Sequence, residues 1–160
     1  MVPIKHILVT TDLSHKSRSA AEYAEWIAAK EKISITLLYC VDTPPLLPYY
    51  NANVTFNAFR EELLKQERRR LDKYVEKLPP SFRKKAKVVM VEGNASRMII
   101  DFAAKNKVDM IVMNTHGRTG IQHAVLGSIA EKVVRCAPCP VLTIRSDVGR
   151  KYSKKVKKKV

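Results

Sequence analysis

The chain has 160 residues and weighs 18.2 kDa, the size of one domain, since domains most often run to about 100–150 residues. A hydrophobic fraction of 46% and a mean hydropathy of -0.21 exclude disorder along the whole chain. The net charge of +15 is the unusual value.

Residues 4–10, IKHILVT, are a short apolar run rich in β-branched residues and read as a strand. Thr11-Asp12 and Leu13-Ser14 break it. From Ser17 to Lys32 the pattern is helical, with Ala20, Ala21, Tyr23, Ala24, Ile27 and Ala28 on one side and Ser14 or Ser17 as the cap. Residues 33–41, ISITLLYCV, are a second strand, apolar enough in its second half to be buried on both faces. The loop 42–53 holds three of the eight prolines. A long helix runs from Phe56 to Leu78, with Phe56, Phe59, Leu63, Leu64, Leu71, Tyr74, Val75 and Leu78 on its apolar face. The other face is charged and includes the run Glu67-Arg68-Arg69-Arg70, of which Arg68-Arg69-Arg70 reads as a solvated face, and Pro79-Pro80 stops the helix.

Residues 86–92 are a third strand, and Gly93-Asn94 is a turn. Residues 95–107 are a helix with Met98, Ile99, Phe102 and Ala103 inward. A fourth strand spans 108–114, a glycine-bearing loop 115–127, a short helix 128–136 and a fifth strand 140–145. Strands alternate with helices throughout, which argues an α/β domain with a parallel sheet and right-handed crossovers. Ligands of such sheets bind at the carboxyl ends of the strands, near a topological switch point. The positions to inspect are Thr10, Thr11 and Asp12; Cys40, Val41 and Asp42; Gly93; and Asn114 to Gly127.

Three of the five glycines fall between 117 and 127. Glycine lets backbone amides approach a ligand, and consecutive amides in a turn attract anions. Ser128 opens the next helix with Glu131 at capping-box spacing, and a helix start beside such a loop is an anion site. His116 and Arg118 add donors or positive charge. The plainer alternative is that the glycines only make tight turns. No GxxxxGK[ST] and no GxGxxG occurs.

The segments VDMIVMNTHGRTG and LGSIAEKVVRCAPCPVLTI, with the opening IKHILVTTDLS and the strand ITLLYCVD, closely resemble the nucleotide-binding branch of the universal stress protein (UspA-like) family over roughly residues 3–145. The resemblance implies a Rossmann-like five-stranded parallel sheet in the order 3-2-1-4-5, flanked by helices, and a homodimer formed through the last strand. It also implies ATP or another adenine nucleotide as ligand. The family motif G-2x-G-9x-G-[ST] is matched by Gly117 and Gly127-Ser128, while Asn114 replaces its first glycine. Should that backbone need φ > 0, asparagine is the least costly substitute. By the same resemblance, phosphates lie against Gly117, Gly127 and Ser128, with Ile129 giving an amide. Asp12, beside Thr11, lies near the ribose or adenine, Cys40 offers backbone groups to the adenine edge, and Met113 packs near the base. Asp12 could instead hold an Mg2+ bridging phosphates.

Cys136-Ala-Pro-Cys139 lies where a helix ends, so the helix dipole has the wrong sign for a redox pair, and no second CxxC completes a zinc site. His6 and His123 read as surface or packing residues, and His15, just past Asp12 and near the expected site, as a solvated side chain. Trp26 and the alanines of the first helix read as core or groove. From Arg145 to Val160 eight basic residues face one acid, giving +7, so residues 146–160 read as a basic tail on a 1–145 domain. That tail solubilises the chain, or it contacts nucleic acid or another anionic surface. No apolar run approaches the roughly 20 residues of a membrane span, and the N-terminus has no signal-peptide pattern, so a cytoplasmic, reducing compartment is expected. The expected function is an adenine-nucleotide-binding stress sensor or regulator with at most slow ATP hydrolysis, because no catalytic base or paired acid stands out. A nucleotide-free dimeric interaction module and a tail-driven binder of anionic partners are the alternatives.

Overall fold

A computed structural model of the chain describes residues 3–29, 32–42, 54–115 and 126–145. Five strands, β1 (His6–Thr11), β2 (Ser34–Val41), β3 (Ala86–Glu92), β4 (Met110–Asn114) and β5 (Val141–Ile144), form one parallel sheet in the order β3-β2-β1-β4-β5. The helices are α1 (Arg18–Ala28), α2 (Val54–Glu76), α3 (Pro80–Lys85), α4 (Ala95–Lys105) and α5 (Ser128–Cys136).

The alternation of the central strand builds two cores. Ile7 and Val9 pack with Ala20, Ala21, Ala24 and Ala28 of α1, Tyr74 of α2 and Phe82 of α3. Leu8 points the other way, toward Ile99 and Ala103 of α4 and Ala130 and Val133 of α5. A parallel strand covered on both faces must be apolar at successive positions, and Ile7, Leu8 and Val9 are all fully buried. The small side chains of α1 let it lie close on the sheet. Trp26 sits on its outer side, 47% exposed and against Tyr23, so it is neither core nor groove lining.

Helix ends differ from the sequence expectation for local reasons. The expected stop at Pro79-Pro80 is also a start: Pro79 caps α3 and Pro80 occupies its first position, where a missing N–H costs nothing. α4 ends at Lys105 and does not reach 107. Lys107 takes a left-handed φ of 49°, its amide donates to Ala104 O (3.5 Å) and the Val108 amide to Ala103 O (3.1 Å). That double bond pattern is a Schellman stop, made here without the usual glycine. The His6 ring ties the edge of β1 to its surroundings, with Nδ1 3.3 Å from Asn106 O and Nε2 2.9 Å from Thr36 Oγ1. Since a carbonyl only accepts, Nδ1 carries a proton.

After β1 the chain runs outward to β2 and β3, then returns to place β4 and β5 on the other side. The carboxyl ends of β1 and β4 are therefore the topological switch point. Among the described residues no helix is long and apolar enough to cross a membrane.

Candidate functional site

A cavity of about 460 Å³ opens at that switch point. Small-molecule pockets are typically about 300–1,000 Å³. The ends of β1 (Thr10, Thr11, Asp12), β2 (Tyr39 to Asp42) and β4 (Met113, Asn114, Thr115) form its floor. The starts of α4 (Ala95) and α5 (Gly127 to Ala130) form one wall and Leu63 and Glu67 of α2 the other. Nine expected site residues thus meet on one cavity: Thr10, Thr11, Asp12, Cys40, Met113, Asn114, Gly127, Ser128 and Ile129. The other three, His116, Gly117 and Arg118, lie outside the described residues, as do His123, the loop 43–53 and the tail 146–160.

The β1–α1 turn is built by short-range side-chain bonds. Thr11 Oγ1 accepts the Leu13 amide (2.9 Å) and meets Ser17 Oγ (2.8 Å), and Asp12 Oδ1 accepts the Ser14 amide (3.0 Å). Leu13 is held at φ 64°, a conformation uncommon outside glycine. Ser14 Oγ accepts the Ser17 amide at 3.2 Å, whereas Ser17, the residue before α1, makes no capping bond of its own. Ser17 Oγ instead donates to Ser14 O (2.8 Å) and accepts from Tyr74 Oη, 3.0 Å away. Burial pushes the Tyr74 hydroxyl above its ordinary pKa, opposed by its hydrogen bonding with Ser17 and Thr11. The network pins Asp12 at the rim and links it to α2.

At the opposite wall Ser128 is the first helical residue of α5 and Gly127 is the cap, with no side-chain bond. The capping box expected of Ser128 and Glu131 is therefore not formed, because the pair stands one position too far into the helix. The Gly127 amide donates to Thr115 O (2.7 Å), and the Glu131 amide makes the first helical bond, to Gly127 O (2.9 Å). The amides of Ser128, Ile129 and Ala130 precede any intrahelical partner and carry the positive end of the helix dipole.

Asn114 has an ordinary strand backbone, paired with Ile144, and is not among the residues with positive φ. Left-handed geometry is thus not what this position needs. Its Nδ2 donates to Ser19 Oγ (2.7 Å) and to Ile144 O (3.3 Å), so the amide cross-links β4 to α1 and β5. Cys40 turns its thiol toward Ala95 O, and burial, followed by the charge of Asp42, pushes it up to about 12. Cys136 is exposed at the end of α5 and Cys139 is half-buried; both are free thiols, and burial raises the latter's pKa.

Glu67 escaped the sequence reading. The sequence places it in the charged run on the outer face of the helix, yet it is 9% exposed and lines the cavity. Tyr39 Oη donates to its Oε2 and Arg70 Nη1 to its Oε1. The signal is its spacing, since 63, 67, 71 and 74 lie on one stripe of α2 and only Glu67 is charged there. Arg60 holds the outer half of α2 to the end of β3 through a two-pronged contact with Glu92.

A parallel sheet in the order β3-β2-β1-β4-β5, flanked by helices and with a cavity over its switch point, defines an α/β domain of the Rossmann-like class. Residues 3–145 match the model of the universal stress protein family, and the chain belongs to that family. It is 37% identical over 143 residues to universal stress protein MJ0531 of Methanocaldococcus jannaschii, covering 88% of this chain and 82% of that one. The solved structure of protein MJ0577 superposes with a TM-score of 0.74 at 25% identity, covering 90% of this chain and 97% of that one. Two further solved universal stress proteins share the fold at lower identity. One is a cAMP complex (TM-score 0.57, 19% identity, 91% and 99% coverage). The other is a dAMP complex from Archaeoglobus fulgidus (TM-score 0.60, 17% identity, 90% and 99% coverage).

Proposed function

We propose that this chain is an adenine-nucleotide-binding universal stress protein that acts as a stress sensor or regulator. The observation that carries the reading is the cavity at the switch point, lined both by Ser128, Ile129 and Ala130, whose amides have no intrahelical partner, and by Asp12. A phosphate suits the helix start, and a carboxylate suits sugar or base donors. The cAMP and dAMP complexes of two proteins with this fold support an adenine nucleotide as the ligand class. ATP is the proposed form, with Mg2+ entering only alongside its phosphates. The proposed role is binding and signalling, in a homodimer formed through β5. Calorimetry of ATP and AMP against nucleotide-stripped protein tests this. Saturable one-to-one binding at sub-millimolar nucleotide is expected, and no heat for either nucleotide overturns the reading.

A further inference from the structure

We infer that the face formed by the second half of α2, by α3 and by the start of β3 is a binding surface for the phosphate backbone of a nucleic-acid duplex. The inference is independent of the nucleotide reading and starts from where the charge lies. Between Lys65 and Lys87 the chain has ten basic residues against three acids, a net charge of +7 in 23 residues. Residues 1–64 carry -1 and residues 88–144 carry +2, so this segment and the stretch from Arg145 onward hold nearly all of the chain's +15. The two are separate features, because β3 is one edge strand of the sheet and β5, which precedes the tail, is the other. Leu71 of α2 packs with Val88 and Met90 of β3, which fixes the second half of the helix over that edge.

All ten basic residues are exposed. Arg68 pairs with Asp72 and Arg70 with Glu67, and the other eight make no ion pair among the described residues. Lys65, Arg69 and Lys73 recur at four-residue steps on α2, and Lys77 extends the row just past its end, so like charges stand about 6 Å apart along the helix axis. Like charges at that spacing destabilise a helix in isolation. A merely solvated face alternates its signs, as Arg68 and Asp72 do, whereas an unbroken cationic row is stabilised by a polyanion running along it. Arg83, Lys84 and Lys85 of α3 and Lys87 of β3 continue the positive charge beyond the row. Apolar side chains decide between the anionic partners. A membrane-surface helix sets apolar residues beside its cations to enter the lipid, and a single-strand binder sets aromatic rings among them to stack on bases. Here Leu71, Tyr74, Leu78 and Phe82 are all buried in the core, and none of the exposed large hydrophobic residues lies between Lys65 and Lys87. The face offers charge without insertion or stacking, which fits a duplex backbone bound without regard to sequence.

The test is fluorescence anisotropy of the full chain with a labelled DNA duplex of about 20 base pairs, repeated over a range of salt concentrations. With six cations on phosphates, the slope of log affinity against log salt is about -5, and affinity falls roughly a thousandfold between about 50 and 200 mM salt. A variant carrying Lys65→Gln, Arg69→Gln, Lys73→Gln and Lys77→Gln should flatten that slope by about three to four and bind at least tenfold more weakly near 100 mM salt. A thermal melt establishes that it folds. A control variant of the tail, Lys154→Gln, Lys155→Gln, Lys157→Gln and Lys158→Gln, should lose less affinity than the variant of α2. A loss confined to the tail variant overturns the assignment, as does a folded α2 variant that binds like the wild type. Absence of salt-dependent duplex binding by the wild type overturns it outright. Tighter binding of a single strand than of the duplex contradicts the choice of ligand. Sedimentation with phosphatidylserine vesicles at a salt concentration that abolishes duplex binding gives the face to a membrane and likewise overturns the assignment.

Discussion

Replacing Gly127 with serine should move stability and ligand affinity in opposite directions. Gly127 has φ -72° and ψ 153°, an extended backbone open to any residue, and it caps α5 without a side-chain bond. Serine at that position accepts a hydrogen bond from the Ile129 or Ala130 amide, a gain of a few tenths of a kcal/mol over glycine. Loss of glycine's freedom in the unfolded chain adds about 0.4–1 kcal/mol. Together these give about 1 kcal/mol, or roughly 3 °C in Tm for a chain of this size. The same hydroxyl occupies an amide that the nucleotide phosphate is proposed to use. Losing one bond to a charged group costs about 1.5–3 kcal/mol, so affinity for AMP should fall roughly ten- to a hundredfold. Thermal unfolding and calorimetry on the same preparation read both effects. A higher Tm with unchanged affinity would show that the α5 amides do not meet the ligand. A lower Tm would refute the backbone reading of residue 127.

Other expectations follow from individual residues. Lys107→Gly should raise stability by up to about 1 kcal/mol, seen as a higher urea midpoint, because it relieves a left-handed lysine in the Schellman stop of α4; an unchanged midpoint counts against that strain. Iodoacetamide at about pH 8 should label exposed Cys136 first and leave Cys40 untouched until the domain opens, since the latter's thiol is pushed up to about 12; peptide mass spectrometry reads the order, and early labelling of Cys40 contradicts it. The Asp109 carboxylate accepts the Lys5 and His6 amides at 2.8 and 2.9 Å, which hold its pKa below the ordinary 3.8. A depressed native pKa stabilises the fold above the unfolded value, and that contribution fades as pH falls through the native value. Asp109→Asn should therefore lower the urea midpoint at neutral pH and flatten its fall below about pH 4; parallel pH profiles for the two proteins would contradict this.

The strands were legible because burial on both faces leaves little but Val, Ile, Leu and their like at successive positions, as in Ile7-Leu8-Val9. The first helix was legible for a similar reason, since its alanines recur on the face that meets the sheet. Its far end and that of α4 were harder. Lys107 gives no sign that it will adopt the conformation usually left to glycine, and only the bonds back to Ala103 and Ala104 stop the helix there. The floor of the site was readable from strand ends, because a parallel sheet must gather Thr10–Asp12, Cys40 and Asn114 along one edge. The α2 wall was not, because Glu67 belongs to a run of charges whose burial depends on where the helix crosses the sheet edge. Asn114 shows the reverse problem. The motif suggested a backbone constraint, and the structure uses the side chain as a link between β4, α1 and β5.

The central claim is that an adenine nucleotide occupies the cavity over the switch point. Titrating AMP into isotope-labelled, nucleotide-stripped protein and following backbone amide shifts tests both occupancy and place. The account predicts saturable shifts concentrated at Thr10–Asp12, Tyr39–Asp42 and Ser128–Ala130, with the helix-start amides moving most. Shifts confined to other surfaces, or none at millimolar AMP, would contradict it.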